Sequence, residues 1–279
     1  MVHYDLLIRN GRVLDAESGL DETADVAVTD GAIERISPNI DPAQAQDSID
    51  ATGQWVMPGM IDTHVHVANA SDRGRIRGLG LQMVAAAGAT TVIDLGGSME
   101  ALVAGVTARG SGVNVGSLGY LKPGETVPEG RLSPDVVDEI VARALEAGSL
   151  GIKLWGGYYP FTPDETAGFI SAANKMAAYV AFHVGTTETG SRLDGLREVP
   201  ALLGSTGRLH IAHINAYTRG SILSIEEEIQ EALNIVDGLR DQVVSEVHLA
   251  RPNFTLGKCD ENGNVLADVV ANCLRLQNY

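Results

Sequence analysis

Seven short apolar runs recur from residue 58 onward, and their spacing limits the possible folds more than any other feature of the chain. They are MIDTHVHV (60–67), TTVIDLG (90–96), GVNVGSLGY (112–120), LGIKLW (150–155), YVAFHVG (179–185), RLHIAHIN (208–215) and QVVSEVHLA (242–250). Their starts lie 30, 22, 38, 29, 29 and 34 residues apart. Helical patterns separate several of them. In SPDVVDEIVARALEAG, Ser133 suits the N-cap, Pro134 the first helical position and Gly148 the stop. TPDETAGFISAANKMA pairs Thr162 with Glu165, and SIEEEIQEALNIV pairs Ser224 with Glu227, both as capping boxes. Strand–helix units of this length imply parallel strands joined by right-handed crossovers. The class is α/β. An open doubly wound sheet and a closed (β/α)8 barrel both satisfy the rhythm.

Residues 1–57 read differently, as short strands punctuated by Asn10-Gly11 and Asp30-Gly31, pairs that favour hairpin turns because both residues tolerate positive φ. A small all-β unit followed by an α/β domain over 58–279 is the expected division. Twenty basic against 36 acidic residues give a net charge of −16, which disfavours phosphate backbones and anionic lipid, so neither nucleic acid nor membrane is an expected partner. No apolar run approaches a membrane span, the first residues lack a leader pattern, and two cysteines are too few for a disulfide framework. A cytoplasmic setting is expected.

In parallel α/β folds the strand C-termini converge on one face, where such enzymes place their sites. His64 and His66 end the first run, His183 the fifth and His213 the sixth. Four imidazoles from three strands suggest a metal site, since neutral imidazole is a preferred ligand of zinc and similar ions. His64 and His66 share a strand face at i and i+2, and Asp62 shares it with them, either as a carboxylate that orients one imidazole or in a structural role. His210, three residues before His213, is expected on the opposite face in a structural role. Lys153, between Ile152 and Leu154, is the anomaly. A lysine so placed reaches water, finds an acid, or loses its proton and reacts, for instance with CO2 to give a carbamate that could ligate metal.

The stretch DLLIRNGRVLD…DVAVTDGAIERI…IDATGQWVMPGMIDTHVH, with Gly59-x-x-Asp62-x-His64-x-His66, resembles the opening of the amidohydrolase superfamily. The likeness is to its cyclic-amidase branch of hydantoinases, dihydroorotases and N-acyl-amino-acid deacetylases. The resemblance implies a (β/α)8 barrel beside a small N-terminal β-sandwich. It further implies two divalent ions, zinc first among them. His64 and His66 would hold one ion, His183 and His213 the other, and Lys153, carrying CO2, would bridge them. Hydrolysis of a small-molecule amide would then use a metal-bridging hydroxide, with proton transfer by an aspartate after the eighth strand.

That aspartate has no evident candidate. Asp260 falls in a turn-like run and Asp268 opens an amphipathic stretch, while the mean spacing puts an eighth strand near residue 272 or later. The chain is therefore expected to lack that strand, to be metal-competent but catalytically weak alone, and to require a C-terminal segment or a homo-oligomeric partner. A non-catalytic scaffold of the same family is the rival reading. Tyr158, Tyr159, Thr186 and Asn215 are the candidate substrate contacts. The sequence after His66 reads Val67-Ala68, without the arginine of the dihydroorotase pattern, which favours a hydantoinase or deacetylase type.

Overall fold

The computed structural model describes residues 3–67 and 79–247. The chain divides into two units, Met1–Met60 and Ile61–Tyr279, three residues beyond the boundary expected from composition. The first is one five-stranded sheet of β1 (Tyr4–Asp15), β2 (Leu20–Thr29), β3 (Ala32–Ser37), β4 (Ala45–Asp50) and β5 (Trp55–Val56). Its order is β3-β2-β1-β4, with β5 also paired to β1. Asp30-Gly31 makes the expected two-residue turn between Thr29 and Ala32, with φ of 50° and 76°. Asn10-Gly11 does not turn the chain. It forms a bulge inside β1, where the register with β2 shifts between Ile8 and Gly11. Asn10 takes φ 61°, and its backbone N–H donates to the buried Asp25 carboxylate at 2.7 Å.

The second unit alternates β6 (Met60–Val65), α1 (Leu79–Ala86), β7 (Ala89–Asp94), α2 (Met99–Arg109), β8 (Asn114–Tyr120), α3 (Pro134–Glu146), β9 (Gly151–Trp155), α4 (Pro163–Lys175), β10 (Tyr179–His183), α5 (Leu193–Leu203), β11 (Leu209–Ile211), α6 (Ile225–Gly238) and β12 (Val243–Ser245). The strands form a curled, parallel, seven-stranded sheet in strict chain order. Sequential order with helical crossovers is the barrel alternative, not the doubly wound one. Residues 248–279, including Asp260, Asp268 and any eighth strand, lie outside the described residues. No helix among the described residues is long and apolar enough to cross a membrane.

The helix ends form as their sequences require. Ser133 accepts from the Val136 N–H and Gly148 takes φ 92°, while Thr162/Glu165 and Ser224/Glu227 close reciprocal capping boxes. Alternation sorts the strand residues into two apolar layers. Ile152, Leu154, Val180, Phe182 and Ile211 pack outward with helix residues such as Phe169, Leu196 and Val199. Leu95, Leu118 and Ala181 pack on the inner side with Ile93 and Tyr179. The inner layer lies beneath the strand C-termini and forms the floor of the site.

Candidate active site

The inner face is built strand by strand. Lys153 on β9 is in register with Tyr120 on β8 and Ala181 on β10, and Ala181 is in register with His210 on β11. Paired residues of a parallel sheet share a face, so Lys153 and His210 point into the same interior. Lys153 is 2% exposed, and its Nζ has no hydrogen-bond partner among the described residues. Burial pushes the amine down to about 7, opposed by attraction to Glu246.

Histidines end strands on either side of β9 in the sheet. The Nε2 atoms of His64 and His66 lie 3.2 Å apart, close to the roughly 3.4 Å separating two nitrogens each bound about 2.1 Å from one tetrahedral ion. The His183 and His213 rings sit 4.5 Å apart by centroid, and His213 lies 5.3 Å from His64. Among the described residues, no three His, Cys, Asp or Glu side chains form a closed ion-binding cluster. The arrangement comprises two imidazole pairs, with the lysine on a strand that lies in the sheet between those carrying them, and lysine becomes an oxygen donor only once it carries a carboxylate.

Two glycines make room for these rings. A Cβ on Gly96 would come within 2.3 Å of His66 Nδ1, and one on Gly157 within 2.0 Å of His183 Nε2. His183 Nε2 also meets the Ser191 hydroxyl at 2.8 Å. The strand ends are tied at the backbone. Buried Asp94 accepts the N–H groups of Val67, Gly96 and Gly97 at 2.7, 2.7 and 2.8 Å, fixing the turn after His66. The Tyr217 hydroxyl accepts from Val184 N–H at 2.9 Å and donates to Ala212 O at 2.7 Å, joining the ends of β10 and β11.

Three placements differ from those the sequence suggested. His213 adopts left-handed backbone (φ 36°, ψ 64°), which breaks strand alternation, so His210 and His213 both reach the interior rather than opposite faces. Asp62 is exposed and accepts from the backbone N–H of His64 at 3.1 Å, away from the imidazoles. Thr186 is fully buried, its hydroxyl donating to Glu198 at 2.9 Å, so it secures the loop after β10. Tyr158 lies 5.2 Å from His183 and 5.5 Å from Trp155 by centroid, and Tyr159 lies 6.2 Å from Trp155, forming an aromatic wall. Asn215 is exposed in the 3-10 turn that follows His213.

Sequence reasoning missed Glu246. Immediately after β12, its Oε1 lies 2.5 Å from His64 Nδ1 and accepts the His213 N–H at 2.8 Å, while Oε2 meets His210 Nε2. Burial opposes its ionisation, but hydrogen bonds from His210 and His64 outweigh this and hold the carboxyl well below its usual range. His64 itself is shifted down, chiefly by burial, with the Glu246 hydrogen bond opposing. The signal was present in VVSEV, an acid within an apolar strand run.

No family model matches the chain. Among curated relatives, the dihydroorotase of Streptococcus thermophilus (strain CNRZ 1066) is 56% identical over 61 residues, 22% of this chain and 14% of that protein. The dihydroorotase of Geobacter metallireducens is 28% identical over 248 residues, 78% of this chain and 56% of its own length. The L-hydantoinase of Arthrobacter aurescens superposes with TM-score 0.62 at 20% identity, covering 88% of this chain and 58% of that one. The N-acyl-D-glutamate deacylase of Bordetella bronchiseptica gives 0.62 at 19%, covering 88% and 59%. Even in the longer matches, the chain spans little more than half the length of these proteins. The strand order and these superpositions show that the chain shares the fold of TIM-barrel amidohydrolases. In sequence the chain is similar to dihydroorotases over 78–82% of its length, and in fold to hydantoinases.

Proposed function

We propose that the protein hydrolyses the C–N bond of a cyclic amide or an N-acyl amino acid at a centre for two divalent ions built on His64, His66, Lys153, His183 and His213. The observation that carries this reading is Lys153, a buried amine with no hydrogen-bond partner among the described residues and an affinity for protons lowered to about 7. A neutral amine there attacks CO2: the N–C bond forms, the nitrogen loses a proton, and the product is a carboxylate on the lysine. That exchange turns a costly buried cation into an anionic oxygen donor between the two imidazole pairs. The glycine hollows at Gly96 and Gly157 fit the same purpose, because they leave room for rings that must sit close to the backbone. Bound at these residues, divalent ions would lower the pKa of a water and polarise the scissile carbonyl.

The chain's own groups supply the remaining functions. Trp155, Tyr158 and Tyr159 offer an aromatic wall of tilted rings beside His183, suited to a ring or acyl group, with phenol hydroxyls for a carbonyl. The names of the relatives, dihydroorotase, hydantoinase and acyl-amino-acid deacylase, share one bond type, a C–N bond to a carbonyl. Ala68 stands two residues after His66, where a dihydroorotase pattern would have arginine, which favours a substrate without a carboxylate to be bound at that point.

The test combines intact mass, metal analysis and turnover of protein prepared with bicarbonate and zinc. The expected result is a gain of one CO2 that disappears in Lys153→Ala, two ions per chain, and hydrolysis within a panel of hydantoins, dihydropyrimidines and N-acyl amino acids. An unmodified Lys153 with no bound metal would instead identify a non-catalytic scaffold.

A further inference from the structure

The Glu246 carboxylate, which the proposed chemistry does not itself employ, joins groups from separate strands. Oε1 faces His64 Nδ1 on β6 and the His213 N–H beyond β11, and Oε2 faces His210 Nε2 on β11. The second nitrogen of His210, Nδ1, lies 2.9 Å from the hydroxyl of Tyr179 on β10. An ionised carboxylate only accepts hydrogen bonds, so both ring nitrogens that face it carry protons. A tautomer of His210 with its proton on Nε2 has an acceptor at Nδ1, which matches a donating tyrosine hydroxyl. His64, with its proton on Nδ1, has its acceptor at Nε2, the atom that faces His66 Nε2 at 3.2 Å.

We propose that Glu246 and His210 are positioning residues: together with Tyr179 they lock His64 in its Nδ1–H tautomer and thereby aim Nε2 at the ion site. The tautomer lock stands on the hydrogen bonds alone, and only its purpose rests on the function proposed above. Glu246 also fixes the His213 backbone at its left-handed turn, so one carboxylate sets the direction of an imidazole from each pair. Such outer partners commonly govern metal affinity by 10–100-fold.

Long-range proton–nitrogen NMR spectra of the metal-free, chelator-treated protein read the tautomers directly, with His64 and His210 assigned through His64→Asn and His210→Asn. Wild type is expected to show Nδ1–H at His64 and Nε2–H at His210. Glu246→Gln keeps the shape but presents one acceptor and one donor, so one of the two rings must exchange its tautomer. Glu246→Ala should release both rings and weaken zinc binding in chelator competition about 10–100-fold. Unchanged tautomers at both histidines in Glu246→Gln would overturn the proposal, and this near-isosteric variant decides the matter if the alanine variant does not fold. Should wild type bind no divalent ion, the proposed function fails, yet the tautomers of the metal-free protein still decide this inference.

Discussion

A proton on Lys153 would leave a charge where no described side chain offers it a hydrogen bond, and the folded chain responds by lowering the amine from 10.5 to about 7. The consequence for stability has a definite sign. Below pH 7 both folded and unfolded chains hold the proton, and the fold bears the whole burial cost. Between about 7 and 10.5 the unfolded chain binds more protons, so stability rises with pH. The gap caps the effect at about 5 kcal/mol. In metal-free, CO2-free buffer, Lys153→Met should therefore be more stable than wild type at pH 7 and should lose the rise toward pH 10. Urea denaturation across that range checks it, and parallel curves for the two proteins would refute it. Lys153 was legible in the sequence because a charge inside an apolar strand run is costly unless something answers it. Glu246 obeys the same rule, and VVSEV carried the same signal. The partnership of His210 and His213 was not legible, since one left-handed residue reverses strand parity and histidine does not advertise that conformation.

Close backbone approach in the elements gives a second contrast. A Cβ on Gly151, at the start of β9, would lie 1.8 Å from the Tyr179 carbonyl oxygen, which belongs to the neighbouring strand backbone. β10 cannot retreat without giving up its pairing with β9, including the Tyr179 N–H to Leu150 O bond at 3.0 Å. Gly151→Ala should cost about 1–3 kcal/mol or more in unfolding free energy, the range for overpacking a filled interior. At Gly157 the obstacle is a side chain, the His183 ring, which can swing aside. Gly157→Ala should therefore unfold at nearly the wild-type urea midpoint while weakening the zinc binding proposed above. Equal loss of stability in both variants would show that the Gly157 hollow serves the fold and not the ring. The caps at Ser133, Thr162 and Ser224 were readable because a side-chain oxygen before a helix has few other uses. Asn10-Gly11 was not, because the positive φ that makes a hairpin turn serves a bulge equally well.

For the whole molecule, periodicity supplied parallel strands and crossovers but not closure, because the choice between barrel and open sheet depends on strand order. The hydrogen bond from His64 on the first barrel strand to Glu246 after the seventh expresses the curl directly. β6 and β12 are the two edges of this sheet among the described residues, and each exposes apolar side chains, with Ile61 at 61% and Val244 at 59%. Edges of this kind pair with other chains unless something opposes them. The opposing force here is a net charge of −16, and its reach shrinks from about 30 Å at 0.01 M salt to about 3 Å at 1 M. Self-association of the 279-residue chain should consequently grow with ionic strength, as read by light scattering on a sizing column. Ile61→Lys with Val244→Lys separates the two forces. The double substitution lowers the negative charge by two, which alone would promote association, yet it places charges on both edges. A monomer at high salt would assign the contact to the strand edges, and undiminished association would place it elsewhere on the surface.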